Sequence, residues 1–96
     1  MQRETLVNLL SSVAGVKRDG DRFRSDDEHE LTVYLGEPGR AMVVSHVQSI
    51  ALQPSHAEVE ARDRGVLYVP VDSICALQSV AAPNKAGKRG GVGFSG

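Results

Sequence analysis

Gly65-Val-Leu-Tyr-Val-Pro-Val-Asp-Ser-Ile-Cys-Ala-Leu77 holds two short β runs broken by Pro70 and by Asp72-Ser73. Proline has no N–H to give a ladder, so it is tolerated only at an edge or a strand end. A strand that stops at such a kink and restarts at once is how a small sheet bends back on itself toward a barrel. The stretch therefore speaks for architecture and carries no chemistry of its own.

Upstream of it the hydrophobic period is two. Leu31, Val33 and Leu35 alternate with Thr32 and Tyr34, which predicts a strand. Gly36-Glu37-Pro38-Gly39 follows, with Pro38-Gly39 suited to the middle of a type II turn. Residues 41–52 carry a long strand pattern whose parity slips near Ser45-His46. Met42 and Val44 share one parity with Ile50 and Leu52, while Val43 and Val47 hold the other. Such a slip predicts a bulge or a strong bend. Gln53-Pro54-Ser55 turns the chain. Ala57, Val59 and Ala61 then alternate with Glu58, Glu60 and Arg62, a strand over 57–62 with one wet face. Asp63-Arg64-Gly65 makes the next turn, and runs at 66–70 and 72–78 complete five strands.

The other side of residue 31 reads differently. Leu6, Leu9, Leu10 and Val13 recur at helical spacing, so residues 3–14 form a helix with one apolar stripe. Gly15 stands where a residue of positive φ caps a helix end. So short a helix is marginal alone in water and must dock its stripe. Residues 16–30 are a polar loop or a small hairpin. Its turn centre is expected at Asp19-Gly20, and the acidic loop Ser25-Asp26-Asp27-Glu28-His29-Glu30 follows. Residues 1–80 thus make one small domain. Residues 81–96 are Gly-rich with three positive charges and no negative one, and read as a flexible tail.

Composition narrows the function classes. The chain has 96 residues, no Trp, two Phe and two Tyr, so its core is aliphatic and it offers few stacking platforms for bases. Eleven basic and twelve acidic residues leave a net charge of −1, with no global field to gather nucleic acid or coat an anionic membrane. The single cysteine, Cys75, excludes an internal disulfide. No apolar run reaches the roughly 20 residues of a membrane span. The N-terminal residues show no secretory signal pattern. A cytoplasmic protein without membrane contact is expected.

The groups that could carry chemistry do not assemble into a motif. Asp26-Asp27-Glu28-His29-Glu30 lacks the spacing and central Gly of a calcium loop. His29, His46 and His56 have no helical ligand spacing and no Cys-x-x-Cys beside them. Cys75 with His46 is the one conceivable nucleophile and base, but Cys75 lies in the apolar run Ile74-Cys75-Ala76-Leu77, where it is expected to act as a small hydrophobe. No Gly-x-Ser-x-Gly elbow is present. The glycines near the C-terminus do not follow a strand and open a helix, as a phosphate cradle would require. No catalytic residue, metal or cofactor is expected, and the chain is not read as an enzyme.

Tyr68-Val69-Pro70-Val71-Asp72-Ser73-Ile74 is similar to the closing segment of PRC-barrel domains, while the helix-first order resembles Sm-like proteins. The resemblance covers residues 31–78. It implies a mainly β fold with one N-terminal α-helix: a strongly bent five-stranded antiparallel sheet or a small SH3/Sm-like barrel. PRC-barrel relatives are assembly and adaptor modules without catalysis. No RNA-pocket signature of the Sm-like kind stands at the strand turns.

These readings converge on a homo-oligomerising scaffold or adaptor whose partners are a second copy of itself and another protein. Apolar groups on both parities of the strands exceed what a lone mini-barrel can hide. Leu6, Leu10 and Val13 of the helix, with Val43, Val47 and Tyr68 of the sheet, are the expected contact residues. The alternative is an Sm-like nucleic-acid binder using Lys17, Arg18, Arg22, Arg24, Lys85, Lys88 and Arg89. A small ligand in the barrel mouth is a third reading that no residue pattern argues for.

Overall fold

Period two becomes strand, and the helical stripe becomes helix, in the computed structural model, which describes residues 1–82. In chain order α1 spans Arg3–Ser12, β1 Val16–Asp19, β2 Arg22–Ser25, β3 His29–Leu35, β4 Met42–Leu52, β5 Ala57–Ala61, β6 Gly65–Val69 and β7 Ile74–Ala81. A 3-10 turn at Val71–Ser73 joins β6 to β7. All pairings are antiparallel. The path runs β1-β2-β4-β3-β7, and β5 joins β4 to β6. The protein is mainly β with one N-terminal helix, its sheet strongly curled into a half-barrel.

β4 is the spine. Its first half pairs with β3, from Leu35↔Met42 to Leu31↔Val47. Its second half lies between β2, through Arg22↔Ala51 to Arg24↔Ser49, and β5, through Val47↔Ala61 to Leu52↔Ala57. The expected parity slip is present in two of these three ladders, those with β3 and β5. Between Leu31 and Val33 the partner on β4 moves three residues, from Val47 to Val44. Between Ala61 and Glu60 it moves two, from Val47 to Ser49. His46 sits in this bulge with φ of 56°, the only described non-glycine residue with positive φ. A residue with a Cβ is strained there.

The concave face holds the core. Phe23, Leu31, Val33, Val44, Ile50, Val59 and Ile74 are fully buried, and α1 adds Leu6 and Leu10 from across the hollow. Burial of each of those two leucines is worth about 1.5–3 kcal/mol. That burial holds a helix of ten residues, too short to persist alone. Both ends of α1 are tied down. The Met1 ammonium donates to the Asp72 carbonyl at 3.0 Å, and Arg3 donates to the Gln53 and Pro54 carbonyls. Just past the other end, Ser79 Oγ on β7 donates to the Ala14 carbonyl at 2.7 Å.

Several boundaries move for local reasons. The helix ends at Ser12 rather than residue 14, because Val13 is already extended. Gly15, at φ of 81°, therefore does not cap the helix but closes the turn into β1. A Cβ at that position would collide with the His29 ring, so glycine also satisfies a close approach. The hairpin forms with its turn at Gly20-Asp21, one residue later than expected, since Asp19 still pairs with Arg22. His29 and Glu30 begin β3 instead of ending the acidic loop. Residues 71–73 form the 3-10 turn, not the start of the last strand. Ala81 is the last residue of β7, paired with His29, so the expected tail cannot begin there. Ala82 is buried as well, its N–H bonding the Glu28 carbonyl at 2.8 Å, and residues 83–96 lie outside the described residues. Pro38-Gly39 turns as expected: Gly39 has φ of 84°, and Arg40 N–H bonds the Glu37 carbonyl at 2.9 Å.

Candidate functional site

Strands expose alternate side chains to opposite faces, so the ladder registers tell which groups meet on the convex side. Arg24 is opposite Ser49, and Ser49 opposite Glu60. Arg62, in the turn just past β5, is tied to the bulge by its N–H, which bonds the His46 carbonyl at 3.0 Å. Where β4 bulges, its two ladders part, and a groove of about 430 Å³ opens there. Its walls come from four strands and two connections: Arg24 on β2, Asp26 and Asp27 in the β2–β3 loop, His29 and Glu30 on β3, His46 and Gln48 on β4, Glu60 on β5 and Arg62 in the turn after it.

The charges in this groove are unequally committed. Asp26 Oδ1 lies 2.9 Å from His29 Nδ1 and also accepts from the Glu28 N–H at 2.9 Å. The hydrogen bond from His29 holds the Asp26 carboxyl below its ordinary value. Glu60 accepts from the buried hydroxyl of Ser49 at 3.2 Å, which accepts in turn from Arg22 Nη1 at 3.1 Å. Arg22 also lies 3.9 Å from Glu60 itself. Arg24 and Arg62, by contrast, have no carboxylate within salt-bridge distance and no side-chain hydrogen bond among the described residues. His46 Nδ1 is shut off from solvent and has no hydrogen-bond partner among them. Buried polar atoms of that kind are uncommon in folded proteins and call for a physical reason.

The residues expected to carry contacts separate into two groups. Leu6, Leu10 and Val47 lie in the chain's own core and present nothing to solvent. The inward stripe of the helix and the inner parity of β4 meet inside one molecule. Val13 is half-buried and packs on that core. Val43 and Tyr68 face outward, at 44% and 68% exposure. Met42, Val66, Val80 and Leu9 are exposed with them, and only the last belongs to the helix.

The basic residues are similarly divided. Lys17 pairs across the hairpin with Arg24. Arg18 lies 5.3 Å from the Phe23 ring centroid and bonds the Gly20 carbonyl. Arg22 is engaged by Ser49 and Glu60. Lys85, Lys88 and Arg89 lie outside the described residues.

Cys75 on β7 and His46 on β4 have β3 between them, so they do not form a nucleophile and base pair. His56 is not a simple turn residue: its Nε2 lies 3.2 Å from Glu58 and its ring 5.9 Å from that of Tyr68. Among the described residues no group of three or more His, Cys, Asp or Glu side chains could hold a metal ion, and no helix is long and apolar enough to cross a membrane. The groove itself escapes a reading of the sequence. The parity slip marks its bulge and the acidic run marks one wall, but bringing Arg24 and Arg62 to it depends on register. No protein-family model, curated protein or solved structure matches this chain, so its chemistry is read from its own geometry.

Proposed function

We propose that this protein is a non-enzymatic scaffold or adaptor that associates with further copies of itself. The observation that supports the reading is the unpaired flank of the half-barrel. β6 pairs only with β5, and β7 only with β3, among the described residues. Each therefore keeps one row of backbone N–H and C=O groups open, a template for strand addition. Val66 and Tyr68 stand exposed on the first of these strands and Val80 on the second. The helix covers the concave face and leaves these groups on the outside. Burying them against another copy recovers about 25 cal/mol for each Å² of apolar surface removed from water.

Light scattering at micromolar concentration tests this. The expected mass is a multiple of 10.3 kDa. Val66→Lys, which places a charge at the β6 edge, shifts the population to monomer while circular dichroism stays unchanged. A wild-type chain that runs as a monomer removes the proposal. Binding to a mixed RNA and DNA pool, steeply weakened by salt, would instead favour the basic hairpin face as a nucleic-acid surface.

A further inference from the structure

We infer that the groove at the β4 bulge is a binding site for a carboxylate, distinct from the strand edges and independent of self-association.

Three features carry this. First, the groove is built on a strained support. His46 is held at φ of 56° in a double register shift, and bulges recur where a sheet re-aims a side chain toward a site. Backbone strain of this kind costs about 1–3 kcal/mol and persists where the surroundings impose it.

Second, the groove offers uncommitted donors. Arg24 reaches it from β2 and Arg62 from the turn after β5, and neither guanidinium has a carboxylate or hydrogen-bond partner among the described residues. His46 lines the groove beside them, its Nδ1 buried without a partner among the described residues. Two guanidiniums suit an oxyanion, and guanidinium matches the planar carboxylate in a two-point contact.

Third, the surrounding charge limits the ligand to a single negative charge. Four carboxylates, Asp26, Asp27, Glu30 and Glu60, line the groove against those two guanidiniums. Asp26 and Glu60 are engaged by His29 and by Ser49 and Arg22, while Asp27 and Glu30 remain as an acidic rim. That rim repels a phosphate dianion or a polyanion more than a carboxylate. The carboxylate can belong to a free small acid or to the C-terminus of a peptide.

The test is amide chemical-shift mapping on the full chain with four probes. These are sodium acetate, an N-acetylated tetrapeptide with a free C-terminus, the same peptide amidated, and sodium phosphate. Acetate and the free-acid peptide are expected to shift the amides of Arg24, His46, Gln48 and Arg62 saturably, and the amidated peptide to leave them in place. If the free-acid peptide binds tighter than acetate by about tenfold or more, the site reads a chain terminus; equal affinity assigns it to free small acids. Arg62→Gln, a surface change that leaves the spectrum otherwise native, is expected to weaken binding about tenfold. The inference is overturned by any of four results: no shift from either carboxylate, equal binding of the amidated peptide, phosphate binding as tight as acetate, or an Arg62→Gln chain that binds like wild type.

Discussion

The two halves of β4 share one strand and behave as different materials. From Met42 to Val47 burial is partial: Val44 and Val47 are buried, while Met42, Val43 and Ser45 face water. From Ser49 to Leu52 every residue is buried. The first half has β3 beside it and one covered face. The second has β2 on one side and β5 on the other, the core beneath, and the Arg22–Ser49–Glu60 chain of hydrogen bonds above. Burial along a strand is thus set by the neighbours a bend supplies and not by the strand's own pattern.

Substitutions can break this contrast. The largest effect is expected at Ile50, which is fully buried. Ile50→Ala should cost about 2–5 kcal/mol in urea unfolding, through lost transfer energy and the cavity left behind. Val43→Ala, the same strand but the open half, should cost about 0.5 kcal/mol or less. Similar losses at both sites would mean that β4 is not divided as described.

A smaller effect should follow at Ser49, which is 2% exposed and links Arg22 to Glu60. Ser49→Ala removes both hydrogen bonds and should destabilise by about 1 kcal/mol. A neutral result would show that the polar cover contributes nothing to the buried half.

The smallest effect, and one of opposite sign, is expected at the joint. His46→Gly relieves the positive φ and should raise stability by about 0.5 kcal/mol after the entropic cost of glycine. The same change should weaken carboxylate binding in the groove. A loss of stability would show that the His46 ring holds the bend together.

Much of this architecture is legible in the amino acids. The alternation of Leu31, Val33 and Leu35, the break at Pro70, the turn at Pro38-Gly39 and the slip at Ser45-His46 are local, because period, proline and glycine act within a few residues. The helix stripe is local in the same sense, and that Leu6 and Leu10 are apolar follows from it. What they touch does not. The same stripe can cover its own sheet or a neighbour, and only the closure of α1 over the concave face decides that both leucines are internal while Val43 and Tyr68 stay outside.

The groove belongs wholly to tertiary structure. Arg24 and Arg62 are far apart in the chain and come to one groove through the regular β2–β4 ladder and the β4–β5 ladder, the second displaced at the bulge. A one-residue change in either ladder would turn their side chains to the other face. Residue type and spacing thus determined strands, turns and the position of the bend, since those depend on short-range sterics and hydrophobic period. Pairing and register decided which charges face one another, because these are long-range choices settled by how the whole sheet curls around its core.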